Sequence, residues 1–405
     1  MGKIYPRLVS EEIIKYLEDD NIIVLHGARQ VGKSHILFWL KNYLEAKKRK
    51  VYYIDLEDSR FADILDSGHE EFIKLLKEEG MKIDTSEIFV FIDEIQYLKN
   101  PSSFLKIIAD HYKNIKLVVS GSSSFEIKNK FQDSLAGRAI NFEIFALSFA
   151  ELLLFKNIPF KQEDSFTEKK ENELKKLFTE YVLYGGYPKI VLEPEIEKKE
   201  KYLQQIIDTY VKKDIRDLAG VKDVEKFNKL LEALASQSGN ILNVTELSNT
   251  CRIAKQTIER YLFIMENTYI IRLVRPFSGN IRSELFKLPK IYFYDSGLMQ
   301  LLWLKNFQKT VMGNVFETAI FSELVKKNGQ DAVFYWRTTD KKEIDFILKI
   351  KNKIFPIEVK LNFGQFNPRV MDYFNRKYKN KEYAVAGLEG KKANKAGHFL
   401  YPWEM

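Results

Sequence analysis

The segment Gly27-Ala28-Arg29-Gln30-Val31-Gly32-Lys33-Ser34 has the residue types and spacing of a phosphate-binding loop. It fits G-x-x-x-x-G-K-[ST], where the glycines permit unusual φ and turn backbone N–H groups onto phosphate oxygens at the positive end of a helix. Lys33 is placed to neutralise the β and γ phosphates of ATP, and Ser34 to offer Mg²⁺ a hydroxyl. With His35 opening the next helix, residues 27 to 35 form the expected nucleotide-binding set. A carboxylate pair, Asp93-Glu94, ends the apolar run Ile88-Phe89-Val90-Phe91-Ile92. Asp93, expected beside the first strand, suits the Mg²⁺ water shell, and Glu94 suits orientation and deprotonation of an attacking water, which argues for hydrolysis beyond binding. Ser120, ending the run KLVVS, offers a hydroxyl to the same water.

The last third of the chain carries a different constellation. Glu317 stands at the start of the helical stretch ETAIFSELVKK, Asp345 lies in EIDFIL, and Glu358 and Lys360 lie in PIEVKL. Lys351-Asn352-Lys353 reads as a turn, so residues 343 to 360 predict an antiparallel hairpin with Glu358 and Lys360 on one face and Asp345 opposite them. Three acidic oxygen donors can hold one or two Mg²⁺ ions, with Asp345 and Glu358 as expected ligands, while a nearby lysine holds or activates water. An exposed hairpin with these charges is also ordinary surface, but charges among apolar neighbours need a reason. The spacing resembles the PD-(D/E)xK nuclease fold, with Asp345, Glu358 and Lys360 as the D, E and K and Glu317 as the helix-borne acid. It departs from that pattern where Glu343-Ile344, and no proline, precedes Asp345.

These residues need elements to position them. Apolar runs at 22–26, 51–56, 88–95, 116–122 and 140–145 alternate with helical stretches, the pattern of a parallel sheet wrapped by helices. From about 150 to 220 the text is helical, interrupted by Gly185-Gly186-Tyr187-Pro188. Residues 223 to 278 predict three helices, near 225–237, after Val244-Thr245, and over Lys255 to Asn267, followed by the strand YIIRLVRPF. That order matches a winged helix-turn-helix, with Arg252, Lys255, Gln256, Glu259 and Arg260 as outward side chains toward a DNA groove or a protein surface.

Charge distribution adds a partner class. Of 64 basic and 56 acidic residues, 22 and 13 fall in residues 281–405, whereas residues 1–150 hold 21 and 23, so the positive surplus belongs to the C-terminal segment. Such a surplus fits a polyanion, although 50 lysines against 14 arginines also suit a general lysine habit. The 45% apolar content excludes a disordered chain. No apolar run reaches the roughly 18 residues of a membrane span, and the acidic N-terminal stretch does not read as a secretory signal. A lone Cys251 excludes an internal disulfide and a cysteine zinc cage, so a cytoplasmic protein without membrane attachment is expected.

The resemblance then extends over nearly the whole chain. GARQVGKS, FVFIDEIQ, VVSGSSS, LAGRAINFEIFALSFAEL, YGGYP, YVKKDIRDL, YFYDSGL, GNVFETAIFSEL, YWRTTDKKEIDFIL and PIEVKL follow the order of a prokaryotic ATPase family. That family joins an AAA+ core of the archaeal ATPase type to DUF4143, a domain of unknown function with a nuclease-like fold. The resemblance implies an α/β fold: a P-loop NTPase core at 1–150, a helical lid at 151–222, a winged helix at 223–278 and a restriction-endonuclease-like α/β domain at 279–405. It places Arg138 where AAA+ proteins carry an arginine finger for a neighbouring subunit, which implies a homo-oligomer. The expected function is ATP hydrolysis with Mg²⁺, acting on nucleic acid, DNA first, through residues 281–405 and the winged helix. The alternative is a nucleotide-dependent switch that binds DNA or protein without cutting it.

Overall fold

The computed structural model describes residues 5–83, 85–122, 135, 137–161, 166–209, 221, 223–277, 288–351, 353–392 and 397–405. The expected segments at 123–124, the helix ahead of Arg138, residues 210–218 and Asn352 lie outside the described residues. The chain divides into two compact units, one of Met1–Phe145 with Lys213–Gly220 and Asn267–Tyr269, the other of Ala146–Lys212, Val221–Glu266 and Ile270–Met405.

In the first unit, α1 (Leu8–Ile14) precedes β1 (Ile22–Gly27), α2 (Lys33–Ala46), β2 (Lys50–Asp55), α3 (Ser59–Asp66), α4 (His69–Glu78), β3 (Ile88–Asp93), α5 (Pro101–His111), β4 (Ile115–Ser122) and β5 (Ala139–Ile144). The five strands form one sheet in the order β2-β3-β4-β1-β5, and every pairing is parallel. Central strands of such a sheet are covered on both faces, which explains why all six residues of β3 are buried. Alternate residues serve opposite faces: Ile22, Val24, Val90, Ile92 and Val119 share a core with Phe72, Leu76, Leu105 and Ile108 from the helices. All C-terminal strand ends lie on one edge, so Gly27, Asp55, Asp93 and Ser120 are brought to the same side. One expectation is corrected here: Asp93 is not beside the first strand, because β4 lies between β3 and β1.

The second unit begins with α6 (Phe149–Phe155), α7 (Glu168–Tyr184), α8 (Pro188–Leu192) and α9 (Ile196–Thr209). Phe178 of α7 is fully buried, with ring centroids 4.9 Å from Phe149 and 6.2 Å from Phe316. Three helices follow, α10 (Val224–Ser236), α11 (Val244–Cys251) and α12 (Lys255–Asn267), then β6 (Ile271–Val274) and β7 (Lys290–Phe293), which pair antiparallel. Asn243 starts α11 by accepting the N–H groups of Thr245 and Glu246 at 3.1 and 3.2 Å. The strand after α12 is shorter than YIIRLVRPF, because Tyr269 takes a left-handed φ of 58° and regular pairing ends at Val274. Lys255, Gln256, Glu259 and Arg260 are exposed on α12; Arg252 is exposed too, but it ends α11 with φ 56° and precedes the third helix.

After α13 (Ser296–Leu304) and α14 (Gly313–Asn328), β8 (Val333–Arg337), β9 (Glu343–Ile350), β10 (Lys353–Val359), α15 (Arg369–Tyr378), β11 (Ala384–Ala386) and β12 (His398–Leu400) complete the chain. Their sheet has the order β12-β11-β10-β9-β8, antiparallel among β8, β9 and β10 and parallel from β10 to β12. The Gly185-Gly186 interruption and Asp295-Ser296-Gly297 lock together. Asp295 accepts the N–H groups of Gly186 at 2.8 Å and Leu298 at 2.9 Å. A Cβ on Gly185, whose φ is +81°, would meet Asp295 Oδ1 at 2.1 Å.

Candidate functional site

At the C-terminal edge of the parallel sheet the loop from Gly27 to Ser34 joins β1 to α2. Gln30 and Gly32 both have positive φ, 59° and 97°. Gly27 is required by proximity: a Cβ there would lie 2.0 Å from the Ile144 carbonyl oxygen. Ala28 and Val31 are buried, Arg29 and Ser34 half-buried, and Gln30 and His35 exposed. Lys33 is buried, and its ammonium donates to the carbonyls of Gly27 at 3.1 Å and Ala28 at 2.8 Å. Arg7 was not singled out from the sequence, yet its guanidinium is buried and donates to Val31 O at 2.7 Å and Phe145 O at 2.9 Å. An isolated Arg ahead of a helix gives no sign that it will pin a loop 24 residues on.

Asp93 lies next along the edge, buried and surrounded by donors. Tyr53 O–H reaches Oδ2 at 2.9 Å, while the Ser120 hydroxyl and the Glu94 N–H, the latter at 3.1 Å, reach Oδ1. Burial, with Asp93 beside it, raises the Tyr53 hydroxyl far above the usual phenol range, so it stays a donor. Ser120 is therefore a partner of the carboxylate, fully buried. Glu94 adopts φ 56° and accepts from Gln96 Nε2. The side chains of Ser34 and Asp93 supply oxygen donors of the kind a hard divalent cation takes. On the other side of the loop, His26 Nδ1 is 2.8 Å from the Tyr269 hydroxyl, which donates to Glu143 Oε1 at 2.9 Å.

Arg138 lies at the opposite end of the sheet. Its neighbour Ala139 pairs with Ile22, five residues before Gly27, and at ~3.3 Å per residue that is about 16 Å from the loop. Its guanidinium bonds Asp110 on α5 at 2.7 Å. Service to this chain's own loop is thus outside its reach.

The C-terminal residues meet at the open end of the β9–β10 hairpin. The register runs from Lys353↔Ile350 to Ile357↔Phe346, so Glu358 falls opposite Asp345 one step further. Lys360 Nζ stands 2.7 Å from Glu358 Oε1 and 3.7 Å from Asp345 Oδ2, between the two carboxylates. The Val359 N–H donates to Asp345 Oδ2 at 2.8 Å. Glu358 Oε2 is buried without a hydrogen-bond partner. Burial, helped by Asp345, pushes the carboxyls of Glu317 and Glu358 up to about 7. Lys290 and Tyr292 of β7 join this cluster: Tyr292 O–H donates to Glu317 Oε1 at 2.5 Å, and Lys290 Nζ lies 2.6 Å from Glu343 Oε1 and 3.7 Å from Glu317 Oε1. Burial depresses the Lys290 ammonium, but Glu317, Glu343 and Asp345 outweigh it and hold its pKa above the ordinary lysine value. A lysine opening the apolar run KIYFY was the available signal for this pair.

Among the described residues no group of three or more His, Cys, Asp or Glu side chains is placed to hold a metal ion. Glu317 is taken up by Tyr292 and Lys290 instead. Asp345 and Glu358 still suit Mg²⁺, which takes one or two carboxylates and keeps several waters, and the unpartnered Glu358 Oε2 supplies a free donor.

The comparisons with known proteins set the class. An AAA domain matches residues 19–153, a domain of unknown function (DUF4143) matches 312–403, and a second one (DUF8612) matches 175–310. The chain carries the core of a P-loop ATPase joined to a DUF4143 domain. An uncharacterized protein of Haemophilus influenzae is 27% identical over 86% of this chain and 84% of its own length. An uncharacterized protein of Methanocaldococcus jannaschii is 28% identical over 86% and 76%. Among solved structures, AMPPCP-bound DnaA from Aquifex aeolicus is similar at 18% identity and TM-score 0.30, covering 66% of this chain and 89% of that one. No described helix is long and apolar enough to cross a membrane.

Proposed function

We propose that this protein hydrolyses ATP and acts on nucleic acid, with nucleotide state governing a nuclease-like C-terminal domain. Residues 27–35 grip the phosphates; Lys33 leaves the Gly27 and Ala28 carbonyls for the β and γ phosphates. Glu94 orients the attacking water, and Ser120 keeps Asp93 in place. Ser34 and Asp93 would hold Mg²⁺, which would neutralise phosphate charge. Arg138 acts on the nucleotide of a neighbouring copy in a homo-oligomer, in line with its distance from its own loop. The protein works in the cytoplasm.

In the C-terminal domain, Asp345 and Glu358 would hold a divalent cation, which would supply Lewis-acid polarisation of a phosphodiester. Lys360 positions the attacking water, and Glu317 completes the acidic wall. The lysine-rich surface of residues 281–405 holds the backbone of DNA, and α10–α12 with the β6–β7 ribbon serve as a winged helix with Lys255, Gln256, Glu259 and Arg260 outward. The observation that carries this reading is the cluster of Asp345, Glu358 and Lys360, with its unpartnered buried oxygen, inside the segment that holds the positive surplus. The test is cleavage of single- and double-stranded DNA and RNA with Mg²⁺ or Mn²⁺, with and without ATP. Wild type should cut and Asp345→Ala should not; equal inertness of both removes the nuclease claim.

A second reading, a nucleotide-dependent regulator that binds DNA or protein without cutting, draws on Lys360 bridging both carboxylates. It expects slow ATP turnover and indifference of activity to substitution at Asp345 or Glu358.

A further inference from the structure

Glu317 is held from outside the DUF4143 segment. Lys290 and Tyr292 are two apart on β7, so their side chains leave the same face of that strand. Tyr292 is fully buried and bonds Glu317 Oε1 at 2.5 Å, while Lys290 stands 3.7 Å from the same oxygen. The turn between α10 and α11 closes in as well. Gly239 N–H donates to Ile291 O at 2.8 Å, Ser238 Oγ lies 2.8 Å from Thr318 Oγ1, and a Cβ on Gly239 would come within 3.4 Å of Glu317 Oε1. Asp345 and Glu358 bond to Val359 N–H and Lys360 of their own hairpin, while the Lys290 ammonium also feels the Asp345 charge.

We propose that Lys290 and Tyr292 are positioning residues that withhold Glu317 from the cation site, leaving a divalent cation to Asp345 and Glu358 alone. The proposal rests on the reading of those two carboxylates as the cation site. A carboxylate oxygen already accepting a hydroxyl and facing an ammonium has less charge to offer a cation. Withholding the third acid keeps the site at two carboxylates, with water filling the remaining positions. Release of Glu317 adds a third anionic ligand. The ribbon that follows the three-helix module thus sets the strength of the cation site.

The test is Mn²⁺ binding to the full-length protein without nucleotide, measured by calorimetry. Only binding that Asp345→Ala abolishes is counted, which sets aside any cation at the phosphate loop. Tyr292→Phe removes one hydroxyl with no change of shape, and melting curves check its fold. Loss of a bond with a net worth of about 0.5–1.5 kcal/mol should tighten Asp345-dependent binding about three- to tenfold. Tyr292→Phe/Glu317→Gln should lose that gain. Equal or weaker binding by Tyr292→Phe, with wild type binding, overturns the proposal and leaves the Asp345–Glu358 reading standing. No Asp345-dependent binding in any variant overturns both.

Discussion

Two lysines of the ATPase core, Lys33 and Lys116, show how a buried ammonium is kept. Lys33 spends its donors on loop carbonyls that a phosphate would replace. A charge-assisted bond is worth about 1.5–3 kcal/mol, so Lys33→Ala should weaken ATP binding about 10- to 100-fold in a fluorescent-nucleotide titration. Unchanged affinity would mean the phosphates sit elsewhere. Lys116 is buried on β4, and its ammonium donates to the carbonyls of Tyr16 at 2.7 Å, Asn21 at 2.5 Å and Asp19. Burial lowers it from 10.5 to about 8, against the pull of Asp19, Asp20 and Glu18. Its folded value is the depressed one, so the cost of burying the charge is fully present below pH 8. Between 8 and 10.5 the unfolded chain binds more protons, and stability rises with pH. Lys116→Met removes both the titrating ammonium and the cost of burying its charge. It should flatten that rise in denaturant titrations; an identical pH profile would contradict the assignment.

At the level of elements, the lock between the end of α7 and the start of α13 predicts a sharp local sensitivity. Gly185→Ala introduces both a clash with Asp295 and a left-handed φ. It should destabilise the second unit by about 2 kcal/mol or more, read as a lowered melting temperature. A neutral result would mean that Asp295 moves aside freely. Much at this level was legible in sequence. The five apolar runs of the first unit are its five strands because parallel strands buried on both faces leave a continuous apolar signature. The hairpin closed where the lysine-rich turn stood, since alternation within FPIEVKL sets which residues share a face. What was not legible was strand order, because adjacency of β3 and β4 depends on packing that no local pattern encodes. Lys290, Tyr292 and Arg7 escaped for the same reason: each acts on a residue distant in sequence.

For the whole molecule, the charge distribution is the quantity to test. Lys349, Lys351 and Lys353 are exposed around the hairpin turn. If they meet phosphates, binding of DNA should fall steeply with salt, and replacing all three by Gln should reduce the log–log salt slope by about 2–3. Filter binding of the full-length protein across salt concentrations measures it. A slope indifferent to salt would direct attention to a protein partner.

The bond between His26 and Tyr269 sets a timetable for synthesis. Residue 145 closes the continuous part of the first unit, yet Tyr269, which belongs to that unit, is translated 124 residues later. At about 5–20 residues per second a ribosome needs roughly 6 to 25 s to supply it. Through that interval the bonds of Tyr269 to His26 and Glu143 cannot form. A chain that ended before residue 269 would therefore lack that contact within its first unit.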